Sequence, residues 1–177
     1  MSNWLKFVIA LASAFVLMLV FRALVLSVYT VEGKDLQPVY IHGDRLLVNK
    51  WSYGLRIDGG GMLPYSRMLR KPVNRGDIVL FDFPNDTIQG VFIARCKAVP
   101  GDSIKVQNRM MVVPGLKDCA DADYYWLESL HPKNPADSRH LGFISERNII
   151  GRVVTVLYSH DDSKNIMEGY RQERMFQ

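Results

Sequence analysis

The run from Phe7 to Val28 is apolar apart from Arg22 and two serines, and it constrains this chain more than any other feature. At 1.5 Å per residue, a helix of this length crosses a hydrocarbon core of roughly 30 Å. Arg22 stands near the far end, where a long side chain can snorkel to the interface. A cleaved signal peptide is the rival reading, with Lys6 in a short n-region. The run is long, however, and Leu26-Ser27-Val28 is a poor small-residue cleavage site. Lys6 and the free amine favour a cytoplasmic N-terminus with the rest of the chain exported, although Arg22 weakens that charge signal. The expected organisation is a cytoplasmic segment over 1–6, a transmembrane anchor over 7–28, one domain over 29–158 and a polar tail over 159–177.

The segment 29–158 is long enough to bury a core of its own. Its pattern is one of short β-type runs: Arg45–Asn49, Asp77–Phe83, Val91–Ala98, Ser103–Val106, Met110–Val113, Tyr124–Leu127 and Asn148–Tyr158. Turn signals such as Gly43-Asp44, Gly76-Asp77, Pro100-Gly101-Asp102 and Pro114-Gly115 separate them. Many short strands with little helical periodicity predict a mainly β, antiparallel domain. The insertion from Gly54 to Asn74 reads as a surface loop, or more specifically as one whose Met62, Leu63 and Tyr65 reach the bilayer interface. The tail carries only a weak helical stripe through Ile166, Tyr170, Met175 and Phe176.

The formal charge of +4 is spread along the chain, with no long basic run and no interleaved aromatics. No nucleic-acid partner is expected; the basic balance suits an anionic membrane surface. An exported domain would permit a disulfide between Cys96 and Cys119, but a buried free thiol at Cys96, in an apolar strand pattern, is as good a reading. No Cys–His spacing suggests a metal site, and no cofactor is expected.

Five ordered segments then carry a resemblance. They are Gly33-Lys34-Asp35-Leu36-Gln37-Pro38; Gly43-Asp44-Arg45-Leu46-Leu47-Val48-Asn49-Lys50; Arg75-Gly76-Asp77-Ile78-Val79-Leu80-Phe81; Ile93-Ala94-Arg95 running to Pro100-Gly101-Asp102; and Asn134-Pro135-Ala136-Asp137-Ser138-Arg139-His140-Leu141-Gly142, followed by Ile150-Gly151-Arg152. In this order behind a membrane span, they resemble the boxes of bacterial signal peptidase I, a serine–lysine peptidase. The resemblance covers about residue 30 to 155. It implies a signal-peptidase-like antiparallel β domain, a bacterial plasma-membrane location with the domain on the exported side, and an extended peptide bound along a strand edge.

In that family a Ser attacks the peptide carbonyl after a small-x-small motif, and a desolvated, neutral Lys takes its proton. By the resemblance, Asp35 stands at the nucleophile position and Ala94 at the general-base position. Pro135 stands where a Ser hydroxyl would help hold that Lys, and Leu36 replaces the usual Met at little cost in volume. Gly33, Leu36, Pro38 and Phe92 are the candidate groove residues. Asp77, Arg95, Asp137, Ser138, Arg139 and Gly142 match the boxes and imply architectural roles. The implied function is a signal peptidase homologue without proteolysis, with signal peptides or an active paralogue as partner. Two alternatives stand beside it: an active peptidase with an altered dyad, and a structural subunit of an envelope or export complex. Alternation along Val91–Ala98 turns Lys97 away from the face of Phe92, Ala94 and Cys96. An Asp35–Asp44 carboxylate pair would need both groups within hydrogen-bonding reach. Asp35 is either a solvated carboxylate at an open groove or, if buried beside Ala94, an acid with a raised pKa.

Overall fold

The computed structural model describes residues 3–57, 64–84, 90–106, 108–118, 121–131, 134, 136–161 and 169–176, without the side chains of 22–24. Met62, Leu63, Cys119, Pro135 and Ile166 lie outside the described residues. The chain opens with α1 (Asn3–Val25), whose 23 residues extend about 34 Å at 1.5 Å each. None of its residues is buried over Asn3–Phe21, and it is long and apolar enough to cross a membrane.

The last three residues of the apolar run leave the helix. Leu26 begins β1 (Leu26–Thr30), which follows Val25 directly and pairs antiparallel with β2 (Asp44–Asn49), Leu26 facing Asn49 and Thr30 facing Arg45. An apolar run cannot show by composition where helix yields to strand; here the backbone bonds of β2 settle it.

The remaining strands are β3 (Leu55–Ile57), β4 (Ser66–Met68), β5 (Ile78–Asp82), β6 (Val91–Ala98), β7 (Ser103–Val106), β8 (Arg109–Val112), β9 (Tyr124–Ser129), β10 (Ile144–Ser145) and β11 (Ile149–Ser159), with the short α2 (Ser138–Leu141) after β9. Seven of them form one antiparallel sheet in the order β1-β2-β11-β5-β6-β9-β10, and β3–β4 and β7–β8 form two ribbons. The expected mainly β antiparallel domain behind one N-terminal apolar helix is what the chain forms. The insertion is more ordered at its base than a loop: β3 and β4 pair, and Arg56 holds the ribbon to the sheet through Asp82 at 2.6 Å.

Period-two alternation places side chains on both faces of the sheet. In β5 and β6, Val79 faces Ala94, Leu80 faces Ile93 and Phe81 faces Phe92. Val79, Phe81, Ala94 and Cys96 join Tyr125, Leu127 and Ile144 in one apolar cluster. Leu80 and Ile93 join Val31, Leu46, Val48 and Val153 in another. The sheet is thus covered on both sides. Ser159, placed in the tail by sequence, is the buried last residue of β11, and the segment 169–176 returns to the sheet.

Candidate functional site

Residues 31–43 form the loop between β1 and β2, and its two ends are tied together. Val31 donates its N–H to the Asp44 carbonyl at 2.8 Å, and Gly43 donates back to the Val31 carbonyl at 3.1 Å. Gly33 has φ +79°, a left-handed backbone that glycine adopts without the steric cost of a Cβ, and its N–H donates to His42 Nδ1 at 3.2 Å. The chain therefore turns sharply before Asp35. Leu36 is half-buried and packs on the cluster around Leu46 and Leu80, which anchors the loop and leaves Asp35 exposed beside it. Pro38 is exposed. Asp35 makes no hydrogen bond or ion pair among the described residues, so it fits the solvated-carboxylate expectation and not the buried-acid one.

A cleft of about 370 Å³ lies against this loop. Its walls include Tyr29, Thr30 and Glu32 at the end of β1, Asp35 and Leu36 from the loop, Phe92 and Ile93 at the start of β6, and Asn134. Burial pushes the Tyr29 phenol above its ordinary pKa, with the Asp82 carboxylate adding to the rise and Arg56 opposing it. The two carboxylates Glu32 and Asp35 are not matched by a lysine, arginine or histidine on this lining, among the described residues. The cleft is therefore electronegative, which suits a neutral or basic extended segment better than an acidic one.

Of the sequence-predicted groove residues, Leu36 and Phe92 line the cleft together with Asp35 from the nucleophile position; Gly33 and Pro38 belong to the loop but lie outside the lining. Ala94 is fully buried one residue beyond Ile93, on the β6 face that carries Phe92 and Cys96 and packs in one cluster with Phe81 of β5. Lys97 and Lys34 are exposed and outside the lining. Asp44 is fully buried and engaged with Ile41, Ser159 and Arg174, so it forms no dyad with the exposed Asp35. Glu32, Thr30 and Asn134 line the cleft without having been groove candidates. Their adjacency to the motif positions was the available signal for Glu32 and Asn134, whereas Thr30 needed the placement of β1.

The retained box residues hold the scaffold. Asp77 is buried and accepts from Tyr53 Oη at 3.0 Å and from the Asn74 N–H at 3.1 Å, with Arg152 Nε 3.4 Å away. Burial, reinforced by the Asp77 charge and hydrogen bond, drives the Tyr53 phenol strongly upward. Arg95 is exposed opposite Glu128 of β9. Asp137 caps α2 by accepting from the Arg139 N–H at 3.0 Å, and it also accepts from the Ser129 N–H at 3.3 Å and from the Arg139 guanidinium. Burial alone would raise the Asp137 pKa; the hydrogen bonds from Arg139, His140 and Ser129 outweigh it and hold the carboxyl below its usual range. Ser138 Oγ accepts the Leu127 N–H at 2.8 Å, and Gly142 ends α2 at φ +76°.

The family model described as signal peptidase, peptidase S26, matches residues 2–125. The chain belongs to the signal peptidase family, peptidase S26. Signal peptidase I V of Bacillus subtilis strain 168 is 29% identical over 154 residues, covering 70% of this chain and 80% of the relative. Signal peptidase I of Bacillus caldolyticus is 27% identical over 164 residues, covering 75% of this chain and 79% of the relative. Inactive signal peptidase IA of Staphylococcus aureus strain N315 is 25% identical over 174 residues, covering 86% and 91%. The likeness thus extends both to signal peptidases I and to a relative named inactive.

Proposed function

We propose that this chain is a membrane-anchored signal peptidase I homologue without proteolytic activity. It would hold an extended peptide, either a signal peptide or a segment of an active paralogue, along its cleft at the exported side of a bacterial plasma membrane. The observation that carries the reading is the cleft lining, which among the described residues offers carboxylates at Glu32 and Asp35 and no group able to act as a cationic or neutral-amine base. Amide hydrolysis in this family needs a hydroxyl nucleophile and a base with a depressed pKa. At the matching positions the chain has a solvated carboxylate, Asp35, and a methyl group, Ala94. Attack on an amide by Asp35 would yield an anhydride, uphill without strong electrophilic assistance. The exposure of Lys97 and Lys34 supports this reading over a relocated dyad.

The test is cleavage of a precursor carrying a small-x-small signal sequence by the purified full-length protein in detergent micelles. No product is expected. Specific cleavage at the signal junction, lost in Asp35→Ala, would establish an altered-dyad peptidase instead. The double variant Asp35→Ser with Ala94→Lys restores a hydroxyl on the exposed loop and an amine in the apolar cluster. Desolvation there would lower the amine's pKa as a general base requires. Slow cleavage by this variant is the expected result, and peptide crosslinking to Phe92 in the unaltered protein separates a peptide-holding cleft from a purely structural subunit.

A further inference from the structure

The register of β1 fixes what stands beside the helix exit. Leu26 follows α1 directly and faces Asn49, so Lys50 and Trp51 lie next to the first residue beyond the helix. The 3-10 turn Lys50–Tyr53, capped by Asn49 Oδ1 accepting the Trp51 N–H at 2.9 Å, packs against α1. A second cleft of about 360 Å³ takes in Lys50 of this turn and shares Tyr29 and Val91 with the first. Its polar lining is Tyr29, Lys50, Arg56 and Asp82; Leu55 and Ile150 add apolar wall.

Among the described residues, the charges lining this cleft do not cancel. Arg56 and Asp82 pair at 2.6 Å. Lys50 makes no ion pair or hydrogen bond among the described residues, although it is only half-exposed. One ammonium is therefore left over, close to a guanidinium and a phenol, where a membrane-spanning α1 would leave the bilayer. Trp51 and Tyr29 supply the apolar-bodied, polar-tipped side chains that favour a membrane interface.

We propose that this cleft binds the phosphate of an anionic phospholipid headgroup, with Lys50 as the counter-charge and the acyl chains lying along α1. The proposal rests on the reading of α1 as a membrane span. A free inorganic phosphate offers the same anion, but it lacks the apolar portion that the wall of Leu55 and Ile150 would cover, so the lipid is the occupant assigned. One uncompensated cation near a surface gives roughly a five-fold preference for an anionic over a zwitterionic lipid.

The experiment uses the full chain in nanodiscs of equimolar phosphatidylcholine and phosphatidylglycerol, with mass spectrometry of the lipids that remain bound after transfer to detergent. Phosphatidylglycerol should be enriched about five-fold in the unaltered protein. Enrichment should fall to parity in Lys50→Gln and persist in Lys6→Gln, whose change lies at the other end of the helix. Parity in the unaltered protein, or enrichment that survives Lys50→Gln, overturns the site. Enrichment stripped by added inorganic phosphate would make the free ion the ligand and overturn the lipid assignment. A chain that does not incorporate into the nanodiscs defeats the membrane-span reading; a chain that incorporates without enrichment defeats only this site.

Discussion

Replacing Arg174 with Met should loosen the loop that carries Asp35, although the two residues are far apart in sequence. The Asp44 carboxylate is fully buried and accepts three donors: the Ile41 N–H at 2.9 Å, Ser159 Oγ at 2.5 Å and the Arg174 guanidinium at 3.2 Å. Arg174 also donates to the Val39 carbonyl at 2.6 Å, so it ties the loop at two points. Met removes the charge and both bonds while keeping much of the side-chain stem. A hydrogen bond between charged groups is worth about 1.5–3 kcal/mol, and a buried carboxylate deprived of its cation costs about 3–5 kcal/mol. Arg174 retains 23% exposure, so water compensates in part and the lower figure applies, about 2–3 kcal/mol. In hydrogen exchange of the full-length protein in micelles, that energy corresponds to roughly 30- to 150-fold faster exchange across residues 31–44. The Ile41 and Val31 amides report it directly, because one bonds the Asp44 side chain and the other its carbonyl. Exchange in β6 should change far less. Unchanged protection over 31–44, or an equal loss in β6, would refute the reasoning. The double variant with Asp44→Asn should also be less than additive, as expected for two groups in one network.

Three further outcomes follow from the same coordinates. Burial, followed by the nearby Asp77 and Asp102 charges, pushes the Cys96 thiol up to about 12, so iodoacetamide at pH 8 should leave Cys96 unmodified in the folded protein and modify it in urea, as read by peptide mass mapping; rapid labelling of the native protein would contradict this. Because the folded Asp137 carboxyl is held below its ordinary pKa, its stabilising contribution is complete above the normal carboxylate range and is lost as the pH falls through that depressed value; the difference in thermal stability between the unaltered protein and Asp137→Asn should therefore shrink on acidification, and a difference that grew would reverse the assigned sign. Gly43→Ala should lower the melting temperature, since φ is +89° and a Cβ would meet the His160 carbonyl oxygen at 2.0 Å; the left-handed backbone alone costs about 1–2 kcal/mol, and an unchanged midpoint would rule out the close approach.

Much of the scaffold was legible because its signals are local. Alternation gave β6 with its bounds, and Gly-Asp turns bracketed β2 and β5. The unreadable parts depend on partners distant along the chain. β1 looks like more apolar helix until β2 supplies its backbone bonds, and the three-residue strands β3 and β4 have no span in which a period could show. The contact of Arg174 with Asp44 joins residues 130 positions apart, and no pattern in a polar tail announces it. The candidate site was legible in a different sense. Asp44, Asp77 and Asp137, which match the family boxes, are each buried and each accept several hydrogen bonds. Asp35 accepts none among the described residues, and Ala94 contributes one methyl to an apolar cluster. The positions that hold the domain together are thus separate from those where the family's chemistry would sit. A mutation at Asp44 strands the half-buried Arg174 guanidinium, the Ser159 hydroxyl and the Ile41 N–H; a mutation at Asp35 strands nothing among the described residues. Selection on stability alone would keep the first group and leave the second free to change. The strength of the boxes therefore measures the fold, while activity has to be judged from what faces the cleft.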